Sequence, residues 1–149
     1  MLSSEGLVEG LSVAWRLGFN SRLSIIEVVL TARIDGHDLR RMTAEAISLG
    51  QQRGCLKYLV DAVNLELVAT TFDIYDIPHR QYDELHLDRR TRIALVLPTS
   101  LREFEFARFY ETQCTNCGWN VKSFPVPEEA FDWLMGGTES SPSPADDPT

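Results

Sequence analysis

LKYLVD, residues 56–61, is the stretch that decides the fold of this 149-residue chain. Its apolar residues run together instead of alternating, which is typical of a strand buried on both faces of a parallel sheet. A second apolar run spans residues 93–97 and is closed by Pro98. Because a helical pattern separates the two runs, the sequence predicts parallel strands joined by helical crossovers.

The flanking patterns complete an alternating order of elements. Gly54 is placed to end a helix, and Pro78 interrupts another helical pattern, where it either kinks the helix or starts a second one. Ser100 and Glu103 fit a capping box at a third helix, and residues 18–21 predict a hairpin turn. The predicted order is β-β-α-β-α-β-α-β-α, at residues 11–17, 23–34, 37–53, 56–61, 71–87, 93–97, 100–117, 119–124 and from 127 onward.

These elements predict one α/β domain over residues 1–135. Its sheet is expected to be mostly parallel, with four to five strands, an N-terminal antiparallel hairpin and helices packed against it. Residues 136–149 are rich in serine, proline and acidic residues. We expect this acidic tail to be disordered.

Composition and charge exclude several classes of protein. The net charge of −8, with only short basic clusters at residues 40–41 and 88–92, argues against nucleic-acid binding. No apolar run is long enough to span a membrane, and residues 1–9 do not resemble a secretory signal. With three cysteines, the expectation is a cytoplasmic protein with free thiols.

Cys114 and Cys117 form a CxxC motif at the end of a predicted helix. A redox cysteine gains reactivity at a helix N-terminus, whereas the C-terminal end destabilises a thiolate. We therefore interpret the pair as core packing. Because the sequence has neither a glycine-rich phosphate loop nor a nucleophile beside its base, it predicts no cofactor and no catalytic residue.

Three polar residues, His79, Asp83 and His86, are weak candidates for a metal site. Their spacing places them on one face if residues after Pro78 are helical. A solvated polar face explains the same spacing, so both interpretations stay open.

A ligand or switch edge is the other candidate site. Asp61 ends a central strand, and Asp35, Asn64 and residues 98–100 also fall at or near strand ends, where ligands bind in open α/β sheets. Roles as loop caps and turn residues are the alternative interpretation. On the 100–117 helix, Phe104 and Tyr110 are expected to face the core.

Phe106 and Phe109 of the same helix do not fit its core face fully. They indicate a partner surface, a dimer seam or an apolar pocket.

Several stretches resemble the STAS-like group of bacterial proteins, which is related to the anti-sigma factor antagonists of sporulation. The likeness covers roughly residues 10–135. It is carried by residues 58–61, the helix after Thr71, residues 92–97 and above all VKSFPVPEEAFDWL at residues 121–134. The resemblance implies a four- or five-stranded sheet with helices and no known enzyme activity.

The resemblance also implies a phosphorylation switch. In the antagonists a kinase partner phosphorylates a serine or threonine at the start of the second helix, and Thr71 matches that position. The family pattern has an acid where Ala69 stands and a glycine where Phe72 stands. A helix cap at Thr70 or Thr71 remains the alternative.

Three functions are therefore expected in order. The first is a non-enzymatic regulatory or protein-interaction module, forming a homodimer and subject to phosphorylation. The second is a protein that binds a small apolar ligand or lipid between sheet and helices, under residues 74–87, by analogy with lipid-carrier folds. The third is a metal-dependent enzyme.

Overall fold

The structure is a computed structural model that describes residues 14–136. Its strands are β1 (Trp15–Asn20), β2 (Ile25–Leu30), β3 (Arg33–Asp35), β4 (Lys57–Asp61), β5 (Glu66–Val68), β6 (Arg92–Val96) and β7 (Asn120–Phe124). Its helices are α1 (Gly36–Arg53), α2 (Thr71–Asp76), a π-helical turn (Ile77–Gln81), α3 (Tyr82–Glu84), α4 (Leu101–Asn116) and α5 (Pro127–Leu134).

Five strands form the main sheet in the spatial order β1-β2-β4-β6-β7. β1 and β2 pair antiparallel, with Trp15 opposite Leu30, and the other pairs of this sheet are parallel. This arrangement confirms the predicted α/β fold, with a mostly parallel sheet and an N-terminal antiparallel hairpin. β4 and β6, the two apolar runs, lie at the centre of the sheet, as expected for strands covered on both faces.

The helices cover the two faces of the sheet unequally. α1, the helical segment from α2 to α3, and α4 pack on one face and enclose the larger core, to which Tyr58 of β4 contributes. α5 packs on the other face over a smaller core, against which Leu59 lies. Neighbouring residues of β4 therefore face different layers, as the alternation of side chains along a strand requires.

Helix α1 begins and ends at well-defined caps. The Asp38 backbone N–H donates to Asp35 Oδ1 at 2.8 Å, and the Asp35 N–H donates to Asp38 Oδ2 at 3.2 Å. Gly54 ends the helix with φ near +61°, a left-handed conformation that favours glycine. The predicted end of this helix at Gly54 is confirmed.

The predicted turn at residues 18–21 is wrong. β1 continues through Gly18, which pairs with Glu27 inside the hairpin, and the turn follows at residues 21–24. Glycine within a paired strand is tolerated here, so it did not mark the turn. Of the strand predicted at residues 11–17, residues 11–13 lie outside the described part.

The single strand predicted over residues 23–34 is also wrong. β2 ends at Leu30, and β3 leaves the main sheet to pair in parallel with β5, a strand that the sequence pattern did not reveal. Three-residue strands are too short to show a period of two. The β3–β5 pair positions the loop that leads into α2.

Pro78 does not start a second helix. It lies inside the π-helical turn that connects α2 to α3, so the helical segment is continuous. The wider turn leaves the Pro78 carbonyl free to accept a hydrogen bond from Trp119 Nε1 at 3.0 Å. Such π-helical turns occur often at functional sites.

No helix within residues 14–136 is both long and apolar enough to cross a membrane. Of the tail predicted over residues 136–149, residues 137–149 lie outside the described part of the chain.

Candidate functional site

Two residues fix the start of α2. The Asp73 backbone N–H donates to Thr70 Oγ1 at 3.1 Å, and the Thr70 backbone N–H donates to Asp73 Oδ2 at 3.0 Å. This capping box gives partners to backbone groups that the helix itself leaves unpaired. Thr70 is therefore the N-cap, one of the two residues that the sequence offered for that role.

Asp73 also joins the start of α2 to α1. Its Oδ1 accepts from Arg40 Nη1 at 3.2 Å, and its carboxylate lies so close to Gly36 that a Cβ there would come within 2.6 Å of Oδ2. The hydrogen bond from the Thr70 backbone N–H holds the pKa of Asp73 below its usual value, and Arg40 acts in the same direction. Asp73 is thus held in its charged form.

Thr71, the first residue of α2, is exposed, and exposed apolar side chains occur on α2 itself, on β5 and at the start of α4. Phe72 is 67 % exposed and Leu101, the first residue of α4, is 71 % exposed. Val68 at the end of β5 and Tyr75 of α2 are also exposed. We call these four apolar residues, Val68, Phe72, Tyr75 and Leu101, the α2 surface.

The buried carboxylate of Glu103 joins two elements that carry the α2 surface. Oε2 accepts from the Leu67 backbone N–H at 3.0 Å, and Oε1 accepts from Ser100 Oγ at 2.6 Å. Burial raises the pKa of Glu103, but these hydrogen bonds outweigh that effect and lower it on balance. The predicted capping box is therefore wrong, because Glu103 reaches β5 and Ser100 makes no side-chain cap.

Asp61 lies at the carboxyl end of β4 and closes the turn that follows. Its Oδ1 accepts from the Val63 backbone N–H at 3.1 Å. The start of α2 follows β4 and β5 in the chain. The structure thus gives Asp61 and Thr70 separate local roles and leaves Thr71 exposed.

An apolar cavity of about 120 Å³ lies between the sheet and the helices. Residues from every surrounding element line it, among them Val28, Tyr58 and Leu95 of the sheet and Met42, Ile74 and Phe106 of the helices. Phe106 therefore faces the interior, Phe109 packs against the same core, and Phe104 is only partly buried. Phe104 was predicted to face the core, but Phe106 packs against it instead.

The hydroxyl groups of two tyrosines at the cavity are hydrogen-bonded to each other. Tyr82 Oη and Tyr110 Oη are 2.5 Å apart and share a hydrogen bond. Burial raises the pKa of both groups, so neither carries charge near neutral pH. The cavity is consequently suited to an uncharged, apolar molecule.

A cysteine, a histidine and a glutamine meet beside the π-helical turn. Cys117 Sγ lies 3.3 Å from His79 Nδ1, and His79 Nε2 lies 2.9 Å from Gln113 Oε1. Tyr75 stacks on the imidazole with ring centroids 3.7 Å apart. The structure thus brings together a thiol and an imidazole that lie 38 positions apart in the sequence, a contact that the sequence pattern did not reveal.

Cys114, the other residue of the CxxC motif, is fully buried in the larger core. Burial raises the pKa of its thiol. Core packing is thus correct for Cys114, and Cys117 is partly buried against the same core while its thiol contacts His79.

His79, Asp83 and His86 are not brought together. His79 contacts Gln113 and Cys117, Asp83 forms an ion pair with Arg89 at 3.4 Å, and His86 follows α3 with a positive φ. Within residues 14–136, no three histidine, cysteine, aspartate or glutamate side chains are grouped so that they could hold a metal ion. The metal hypothesis gains no support from this arrangement.

The order of strands and the placement of helices define the fold as that of the SpoIIAA-like, or STAS-like, α/β domains. One similar solved structure is that of the anti-sigma factor antagonist SpoIIAA in its unphosphorylated form. The identity is 17 %, the TM-score is 0.54, and the match covers 83 % of this chain and 99 % of that one.

A second similar structure is an uncharacterized protein of the DUF3478 family with a SpoIIAA-like fold, from Shewanella loihica PV-4. It has 16 % identity and a TM-score of 0.53, over 84 % of this chain and 99 % of that one. No family model and no curated protein matches the sequence. The expected STAS-like fold is confirmed by these similarities, which at such identity concern the fold.

Proposed function

We propose that the chain is a non-enzymatic protein-interaction module and that the α2 surface contacts its partner. The observation that carries this proposal is that Phe72 and Leu101 are both largely exposed although they lie on two helices, α2 and α4, that contact each other. Apolar residues of this size exposed together are typical of contact sites between proteins. The partner we infer is a protein that inserts apolar side chains between α2 and α4.

The surface is rigid enough for specific contact. The Thr70–Asp73 capping box holds α2, and the Leu67–Glu103 hydrogen bond holds β5 against α4. Because these bonds form within the chain alone, little order has to be gained on binding, which favours affinity.

Thr71 is the residue we propose for regulation. The hydroxyl of Thr70 already bonds to Asp73 as donor and acceptor, whereas Thr71 is exposed within the apolar surface. A phosphate there would add a charge of about −1.5 to −2 and would oppose burial of Phe72 against a partner. The similarity to an antagonist solved in an unphosphorylated form supports this choice.

Quantitative affinity capture tests the proposal. The purified chain and its Phe72→Ser and Thr71→Glu variants serve as baits, with Met135→Ser as the matched control because Met135 is an exposed apolar residue after α5. The expected result is a specific protein retained by wild type and Met135→Ser and lost from both α2 variants. Retention of every bound protein by Phe72→Ser would refute the proposed surface.

The expected homodimer stays a prediction, as does the cytoplasmic location. Native mass spectrometry of the purified chain reports its oligomeric state directly. If Phe72→Ser turns a dimer into a monomer, the partner at the α2 surface is a second copy of the chain.

Binding of a small apolar molecule is the second candidate function. The observation that favours it is the cavity of about 120 Å³, lined in part by Ile74, Ile77 and Leu87. Apolar cavities of about this size in proteins stay dry and accept molecules such as benzene. A ligand there would touch α2 from the inside and so affect the same surface.

A further inference from the structure

We propose that Cys117 is a modification site whose thiol exchanges with low-molecular-weight disulfides, with His79 as its base. The structure supplies a thiol, an imidazole and a group that orients the imidazole, joined at 3.3 Å and 2.9 Å. This sequence of nucleophile, base and orienting group is the arrangement that activates cysteine in covalent chemistry.

The orienting contact sets the direction of proton transfer. Gln113 Oε1 can only accept, so His79 Nε2 carries the proton and Nδ1 presents its lone pair to Cys117 Sγ. Stacking on Tyr75, with an angle of 10° between the rings, keeps the imidazole in that plane.

An arginine is fixed at the backbone of Cys117. The carbonyl groups at the C-terminus of α4 oppose a thiolate. Arg89 Nη1 donates to the Cys117 carbonyl at 2.7 Å, its guanidinium lies over the ring of Trp119 at 3.6 Å, and its Nη2 pairs with Asp83 at 3.4 Å. Arg89 thus occupies one of these carbonyl groups, while its charge is shared with Asp83.

Accessibility distinguishes the three thiols. Cys55 and Cys114 are buried, whereas Cys117 is partly exposed. Of the three cysteines, Cys117 is thus the one that is not buried, and it is the one with the imidazole beside it.

The backbone around Cys117 favours disulfide exchange over acyl transfer. The N–H groups of Cys117, Gly118 and Trp119 all donate to carbonyl groups of α4, so none is free to stabilise an oxyanion. Disulfide exchange places its charge on sulfur and needs no such donors.

The exchange proceeds by thiolate attack on a disulfide. The proton of Cys117 moves to His79 Nδ1, and the thiolate attacks one sulfur of the small disulfide. A new S–S bond forms to Cys117 while the original S–S bond breaks, and the leaving thiolate takes the proton from His79. Cys117 is oxidised, one sulfur of the disulfide is reduced to a thiol, and the reaction reverses with excess thiol.

An adduct at Cys117 also has a consequence for the α2 surface, which rests on the proposed function. Tyr75 belongs to that surface and stacks on His79, so a bulky group on Cys117 would displace both rings. The modification would then lower partner binding.

Oxidised glutathione is the probe for the test, with the full chain and no partner present. The rate of adduct formation is followed by intact mass, and the modified residue is identified by peptide mapping. The variants are His79→Gln and, as a matched control on the same segment, His86→Asn. A Cys117→Ser/Thr115→Cys double variant places an exposed thiol on the same helix without the imidazole.

The expected result is modification at Cys117, at a rate about 10-fold or more above that of the Thr115→Cys thiol. His79→Gln should remove most of this difference, and His86→Asn should leave the rate unchanged. Equal rates for wild type and the double variant would overturn the proposal, even if His79→Gln fails to fold. Because no partner is present, this experiment does not test the α2 surface. Its failure would therefore leave the proposed function standing.

Discussion

The backbone N–H of Leu67 donates to Oε2 of Glu103 at 3.0 Å, although 36 residues separate them in the chain. The bond ties the short strand β5 to the first turn of α4, and Ser100 Oγ occupies the other carboxylate oxygen. Val68 is next to Leu67, and Leu101 lies two residues before Glu103. The bond therefore sets the distance between these two residues of the α2 surface.

Glu103→Ala should lower the free energy of unfolding by about 2–3 kcal/mol, since it leaves the buried Leu67 N–H without an acceptor. Urea unfolding measures this. Glu105→Ala on the exposed side of α4 is the matched control and should change stability by less than about 0.5 kcal/mol. Equal effects of the two substitutions would contradict the role assigned to Glu103.

Thr70→Ala should destabilise the protein by about 1 kcal/mol, because the Asp73 N–H loses its acceptor at the start of α2. Thr71→Ala changes the neighbouring exposed residue and should have little effect on unfolding. If Thr71→Ala were the more destabilising of the two, the assignment of Thr70 as the cap would be wrong.

Acid should weaken the contribution of Asp73. Its pKa is lowered in the folded state, so the stabilisation is fully present above the unfolded-state value near 3.8 and is lost as the pH falls through the folded value. The difference in unfolding free energy between wild type and Asp73→Asn should therefore shrink as the pH is lowered from 7 to 2.5. If this difference stayed constant from pH 7 to 2.5, charged Asp73 would not have the stabilising role assigned to it.

Filling the cavity should abolish binding of small apolar molecules. Benzene should raise the melting temperature of the wild-type protein, because a ligand that binds only the folded state stabilises it. Ala107→Leu adds a larger side chain at the cavity wall and should remove this shift, whereas Thr112→Leu on the exposed side of α4 should retain it. A wild-type melting temperature that benzene leaves unchanged would argue against the second candidate function.

The elements with long patterns could be predicted from the sequence. β4, β6 and α1 have continuous apolar runs or a sustained helical period, and Gly54 adds a cap signal. β3 and β5 could not be predicted, because three residues do not show a period and their pairing is long-range.

Parts of the site depended on contacts that sequence patterns do not reveal. Ser100 and Glu103 have the spacing of a capping box, yet a buried backbone N–H on β5 competes successfully for the carboxylate. His79 and Cys117 meet because the π-helical turn and the end of α4 lie side by side. The N-cap role of Thr70 could be predicted from the sequence, since a threonine three residues before an aspartate is a local signal for a helix start.

Site-specific photo-crosslinking tests the central claim, the α2 surface, most directly. A photoreactive amino acid is placed in turn at Phe72, Leu101 and Met135, and the adducts are identified by mass. We predict that Phe72 and Leu101 capture the same protein, that Thr71→Glu abolishes both adducts, and that Met135 does not capture it. Capture of that protein from Met135 alone would contradict contact at the α2 surface, because the contact surface would then lie at α5.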